Sequence, residues 1–309
     1  MELLGPHGIG AWILFNLMIL AFLALDLGVF NRKSRVLGVR ESIVWNVIWT
    51  AAGLAFALVV ARLYGRTSAI EYVTGYVLER ALSIDNIFVF VVVFGYFSIP
   101  REHQHRILYW GILGALLMRG ALILAGAAAV ARFHWLLYVF GAFLVYTGFH
   151  LLFKKEEAPE PEKNPAVRLA AKIFPVTHEL HGERFFVRMQ GVLHATPLFL
   201  VLLVVETTDL LFAFDSIPAV FGVTRDPFII YTSNVFAILG LRAMYFLLAA
   251  ILPSFRFLNY GLCAVLVFIG LRMLAEPWIE IPVTWALGLV CVLLGGSMLA
   301  SLIPRRGQT

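Results

Sequence analysis

"VLLVVETTDLLFAFDSIPAVF", Val201 to Phe221, is apolar enough to enter a bilayer as a helix, yet it carries Glu206, Asp209 and Asp215, with Pro218 close behind. Each ionised acid at mid-depth costs about 2.5–3.5 kcal/mol on insertion scales, so three together impose roughly 8–10 kcal/mol. Helix packing in lipid does not require such residues, and small side chains serve it better. The stretch therefore asks what these acids do.

The rest of the chain has the same character. Of 309 residues 61% are hydrophobic and 14% charged, and the apolar share exceeds that of ordinary soluble proteins. Apolar runs long enough to cross ~30 Å of hydrocarbon recur at 9–30, 43–63, 71–97, 107–130, 134–153, 197–221, 228–252, 258–275 and 283–303. They predict an all-α polytopic bundle of about nine transmembrane helices. The first run lacks a basic leader and a small-residue cleavage site, so it reads as an uncleaved span. Lys and Arg gather at 32–40, 101–106, 154–188, Arg256, Arg305 and Arg306. The alternate connections carry only Arg62, Arg66, Arg132 and Arg225. That bias places the amino terminus outside and the carboxyl terminus in the cytoplasm. The net charge of +5 follows the membrane and gives no reason to expect nucleic acid. Cys263 and Cys291 lie inside predicted spans and form neither a disulfide framework nor a CxxC clip.

An internal repeat organises the spans. "DNIFVF" from Asp85 matches "DLLFAF" from Asp209, and sixteen residues after each aspartate stands an arginine, Arg101 and Arg225. Arg119 and Arg242 follow in near-register. Further on, "YVFGAFLVYTG" from Tyr138 matches "YGLCAVLVFIG" from Tyr260. Each copy holds three helices, so the second enters the membrane upside down, and spans 3–5 and 6–8 form an inverted 3+3 repeat. Such repeats often frame a midplane site in secondary transporters. The divisions expected are a two-helix segment (1–66), a first repeat (67–153), a cytoplasmic loop (154–196), a second repeat (197–275), and a last helix with its tail (276–309). The loop starts as a Pro- and Glu-rich linker, and its later part is expected to hold a short helix or a strand pair.

Glu206 and Asp209, three apart, share a helix face. Asp215 lies six beyond Asp209, and Pro218 disturbs the turn before it, which can rotate Asp215 inward. Glu79 and Asp85 repeat the six-residue spacing in span 3, with Ser83 and Asn86 adding neutral oxygens. Crossing the two spans would bring five carboxylates around one point. Arg80, Arg119 and Arg242 could neutralise some of them, although Asp26 in span 1 adds a sixth acid. An intramembrane aspartyl protease needs a glycine-flanked aspartate motif that is missing, and the surplus acids would raise the pair's proton affinity too far. The remaining reading is a cation site. Carboxylate, amide and hydroxyl oxygens suit hard ions such as Mn²⁺, Mg²⁺ or Ca²⁺. No GxxxxGK[ST] loop offers ATP as the drive, whereas a crowded carboxylate can take up a proton. His103 and His105 read as headgroup-boundary residues, and His150 with its repeat partner Arg272 as snorkelling side chains. "THELHGE" (Thr177–Glu183) reads as solvated loop in preference to a peripheral metal sensor.

"ERALSIDNIFVF", "REHQHRILYWGILGALLMRG", "HELHGERFFVR" and the long motif from Val204 to Phe246, preceded in span 1 by "LDLGVFNRK", resemble the TerC family of integral membrane proteins, its Alx-type members above all. The resemblance runs to about residue 275. It implies Mn²⁺ export, a link by name to tellurite resistance, and a grouping with inverted-repeat metal and amino-acid exporters. It also places ion-binding acids on Glu79, Asp85, Glu206, Asp209 and Asp215, with Asn86 in the same motif. The expected function is secondary export of a divalent cation, Mn²⁺ first, from a bacterial cytoplasmic membrane in exchange for protons. The ion would be cargo, with no permanently bound cofactor and no enzymatic step; Arg119 and Arg242 would set the field. The rival reading is a non-transporting scaffold or insertion partner working through residues 154–196.

Overall fold

The computed structural model describes residues 7–25, 38–153, 164–177, 179–251, 257–279 and 281–302. The chain is built from α1 (Ile9–Leu25), α2 (Val39–Tyr64), α3 (Arg66–Tyr96), α4 (Arg101–Arg132), α5 (Leu136–Phe153), α6 (Pro165–Ile173), α7 (Pro197–Phe221), α8 (Pro227–Leu239), α9 (Leu241–Ile251), α10 (Leu258–Ala275) and α11 (Val283–Leu302). One two-stranded antiparallel hairpin, β1 (Phe186–Met189) with β2 (Val192–Ala195), stands between α6 and α7.

Local chemistry sets these boundaries. Gly65, at φ +92°, separates α2 from α3 in a conformation that a side chain would resist. Asn164 caps α6 by accepting from the backbone of Ala166 and Val167, with Pro165 in the first turn. Asp226 does the same for α8, ahead of Pro227. Gln190 and Gly191 both have positive φ, as a tight two-residue hairpin turn requires. The connection after residue 163 thus holds both a short helix and a strand pair.

Five of the described helices, α2, α4, α5, α7 and α11, are long and apolar enough to cross a membrane. The pair α8–α9 makes a sixth if its two arms, bent by 44° at Gly240, count as one span. The sequence predicts a single unbroken span there. Helices α1 and α10 are apolar but shorter, whereas α3 is 31 residues long and is set apart by the charges it carries. Large aliphatic side chains such as Leu14, Leu58, Leu117 and Leu211 face outward on several helices, as lipid contact requires.

Inside, two apolar clusters lie side by side. One joins α1 and α2 to α8, α9 and parts of α3, α4 and α7, and the other joins α5, α10 and α11 to the remaining turns of α3, α4 and α7. Helices α3, α4 and α7 contribute to both, so residues on their shared faces sit between the clusters. The closest seam is α5 against α10: a Cβ added at Gly270 would stand 2.6 Å from the Gly141 carbonyl oxygen, and one at Gly141 would stand 3.0 Å from that of Gly270. Without a hydrophobic drive between helices in lipid, such backbone approach supplies the packing energy. Gly270→Val should therefore force the seam apart, costing about 1–3 kcal/mol. A lowered melting temperature and poorer folded yield in detergent are expected, and an unchanged melting temperature would contradict the seam.

Candidate functional site

The centre of the molecule is one arginine on two acids. Arg119, in the middle of α4 and almost wholly buried, makes a two-pronged contact with Asp209 of α7: Nε donates to Oδ2 at 3.1 Å and Nη2 to Oδ1 at 2.9 Å. Its Nη1 is paired with Oε1 of Glu79 on α3. Asn86, two turns beyond Glu79, donates from Nδ2 to Asp209 Oδ1 at 3.1 Å. Glu79, Asn86, Arg119 and Asp209 are all buried. The planar guanidinium suits this task because its donors form a fork that matches a carboxylate.

Helix periodicity brings the parts together. Glu79, Ser83 and Asn86 stand at i, i+4 and i+7 on α3 and form one stripe. Asp209 and Ser216 repeat the seven-residue interval on α7. Between the stripes lies a void of about 30 Å³ lined by Glu79, Asn86, Arg119, Phe212, Asp215 and Ser216, among others. That is room for one water or one bare ion. Glu79 Oε2 and Ser83 Oγ are buried acceptors without a hydrogen-bond partner among the described residues.

The remaining acids are placed less centrally. Glu206 is half-buried, its carboxyl pressed against Gly114 of α4 so closely that a Cβ there would collide with it. Its Oε2 also lacks a described partner. Asp215 borders the void beside Ser216. Asp85 lies in α3, but its side chain falls outside the described residues, as do Asp26 and His178. Among the described residues no three His, Cys, Asp or Glu side chains are grouped as a metal site. The gathering of five carboxylates around one point is thus not what the described side chains form. Two acids meet through a guanidinium, a third borders the same void and a fourth is set against α4.

Several sequence expectations change. Among the described residues Arg80 pairs with no acid: it reaches Asn46 Oδ1, Thr50 Oγ1 at 3.1 Å and the carbonyl of Ala237 at 3.4 Å, just before the break at Gly240. A proline-free segment gave no warning of that break. Pro218 leaves α7 continuous to Phe221, because only one turn remains beyond it and the Pro218 carbonyl still accepts from Gly222 at 3.0 Å. His105 is buried rather than at a headgroup boundary, and its Nε2 accepts from Arg242 Nη1 at 3.0 Å. Arg272 does not snorkel; it donates to the backbone carbonyls of Gly222 and Ile281.

The segment after residue 163 docks on this machinery. Asn164 Nδ2 donates to Thr207 Oγ1 at 2.8 Å, next in sequence to Glu206. Arg106 pairs with Glu183 at 3.2 Å and lies over the Phe185 ring at 5.2 Å.

Comparison with known proteins gives the chain its family. A model described as the integral membrane protein TerC family matches residues 64–309. An uncharacterized membrane protein of Myxococcus xanthus is 47% identical over 297 residues, covering 96% of this chain and 93% of its own. Proteins provisionally named membrane-bound redox modulator Alx are 45% identical in Photorhabdus laumondii, over 93% of each chain, and 42% identical in Escherichia coli K12, over 90% of each. No solved structure matches significantly. Multi-pass architecture, the motifs around Asp85 and Asp209 and these relatives agree that the chain belongs to the TerC family of integral membrane proteins.

Proposed function

We propose that this protein is a secondary transporter that exports a divalent cation, Mn²⁺ foremost, across the bacterial cytoplasmic membrane in exchange for protons. The observation that carries the reading is the buried assembly of Glu79, Asp209 and Arg119 beside a one-ion void lined by Glu79, Asn86, Arg119, Asp215 and Ser216, with Glu79 Oε2 and Ser83 Oγ lacking a hydrogen-bond partner among the described residues. Buried acceptors are normally satisfied, and exceptions need a reason. A hard cation that takes oxygen ligands supplies one.

In this mechanism Arg119 acts as the resident counter-charge. A divalent ion arriving among Glu79, Asn86, Asp209 and Asp215 competes with the guanidinium for the same carboxylates. Arg119 returns as the ion leaves, so the acids never face one another uncompensated. Protons serve as an alternative neutraliser, which provides the exchange. Asp85 would join the ligand set from the same helix as Glu79, and Glu206 would hold the ion on its way past Gly114. Pro218, one turn after Asp215, shapes the end of α7.

The repeat supports alternating access: Arg119 of the first copy holds Asp209 of the second, a contact across the repeat interface. Its register pairs Arg242 with Arg119 as the matching field-setting group. With nine spans and the amino terminus outside, residues 164–196 face the cytoplasm.

One observation favours the second reading, a scaffold or insertion partner. The hairpin tip leaves Met189, Val192 and Leu193 exposed, an apolar edge suited to another protein.

Two measurements separate these ideas. Mn²⁺ flux into proteoliposomes should follow a pH gradient in the wild type and fall by about tenfold or more in Asp209→Asn and Glu79→Gln, equal to at least ~1.4 kcal/mol of lost ion stabilisation. Equal flux in wild type and folded variants would eliminate the acidic route and leave the hairpin edge as the place to look. For the counter-charge, Arg119→Ala should be destabilised by about 3–5 kcal/mol through its two uncompensated acids. Mn²⁺ should then raise the melting temperature of Arg119→Ala more than that of the wild type, because its competitor is gone. A smaller shift in the variant would refute the competition.

A further inference from the structure

A second cavity lies at the end of the bundle opposite residues 164–196. It holds about 670 Å³ and is walled by Thr67 and Glu71 of α3, Phe221 and Thr224 at the end of α7, and Arg272 and Glu276 at the end of α10. Glu71 is half-buried there, and Thr224 Oγ1 donates to its Oε2 at 2.7 Å. Arg272 reaches into the same wall, but its guanidinium is spent on the carbonyls of Gly222 and Ile281. Arg225 pairs with Glu276 at the exposed rim. Among the described residues the Glu71 carboxylate thus forms no direct ion pair and faces an open cavity of mixed polar and apolar walls beside a hydroxyl.

This cavity stands in line with the central void. Glu71 and Glu79 are eight residues apart on α3, or about 12 Å along the axis. On α7, Phe221 borders the outer cavity, while Asp215 and Ser216 border the inner one. The same two helices therefore wall both, one above the other. Val220, Ser233 and the α3 backbone close the space between them: a Cβ at Gly75 would lie 2.8 Å from Ser233 Oγ and 3.1 Å from Val220 Cγ1. The Arg272 contact with Gly222 sits beside this closure and fastens the last turn of α7.

We propose that this cavity is an outer cation-binding station, in which Glu71 and the Thr224 hydroxyl receive a divalent ion between the central acids and the extracytoplasmic solution. The proposal rests on the transport reading above. Oxygen-only ligation again selects a hard cation. Glu71 feels the negative charge of Asp226 as well as the positive charge of Arg272, and one carboxylate with one hydroxyl makes a weak site, which suits release better than capture. Arg272 also ties the α7 end to Ile281 ahead of α11.

The test uses full-length protein in vesicles with a defined outer face. Cys263→Ala and Cys291→Ala remove the native thiols, and Thr67→Cys places a reporter in the cavity wall. A membrane-impermeant maleimide added from the extracytoplasmic face should label this cysteine, and saturating MnCl₂ should slow labelling by about fivefold through simple occupancy. Glu71→Gln should abolish the protection, whereas Asp209→Asn, which removes a central ligand, should leave it intact. No labelling from that face, or no Mn²⁺ protection of the accessible thiol, would overturn the station. Protection lost equally in Glu71→Gln and Asp209→Asn would also overturn it, by showing that the reporter follows the central site. Because labelling needs no flux, failure of the central transport reading and failure of this station give different results.

Discussion

A guanidinium shared by Glu79 and Asp209, deep between two apolar clusters, is the contact on which the arrangement of α3, α4 and α7 depends. Two carboxylates buried this closely would otherwise repel each other or take up protons. Arg119 holds both and in doing so ties together three helices from distant parts of the chain. Removing either side would leave an uncompensated charge in a low-dielectric interior, a far larger penalty than the loss of a surface pair. Among the described residues Glu79 Oε2 and Ser83 Oγ have no hydrogen-bond partner, so the bridge leaves ligand capacity unused beside it.

Around this centre the packing follows membrane rules. Backbone contact at Gly141 and Gly270 holds α5 against α10, and Leu151 and Leu266 of these helices line the void. Arg80 satisfies the broken end of α8 with a donor drawn from α3, next to Glu79. Arg272 does likewise for the last turn of α7. Among the described residues both are arginines in an apolar setting that reach backbone carbonyls, as discontinuous helices in membranes require.

The sequence by itself determined the environment and the inventory. Apolar runs of membrane length, the acids inside them and the seven-residue stripes on α3 and α7 follow from helix periodicity and insertion energetics, which are local properties. The family motifs around Asp85 and Asp209 were legible for the same reason, since they are contiguous. Only the tertiary structure decided which arginine meets which acid. Arg80, Arg119 and Arg242 looked alike as neutralisers, yet Arg119 alone among them bridges Glu79 and Asp209, while Arg80 reaches neutral oxygens and Arg242 reaches His105. Pairing across 90 residues depends on the depth and rotation of each helix, and no spacing within one helix encodes these. The same reason hid the break at Gly240. A helix break is tolerated where a neighbour can satisfy the freed carbonyl, and only the folded chain shows that the neighbour is Arg80.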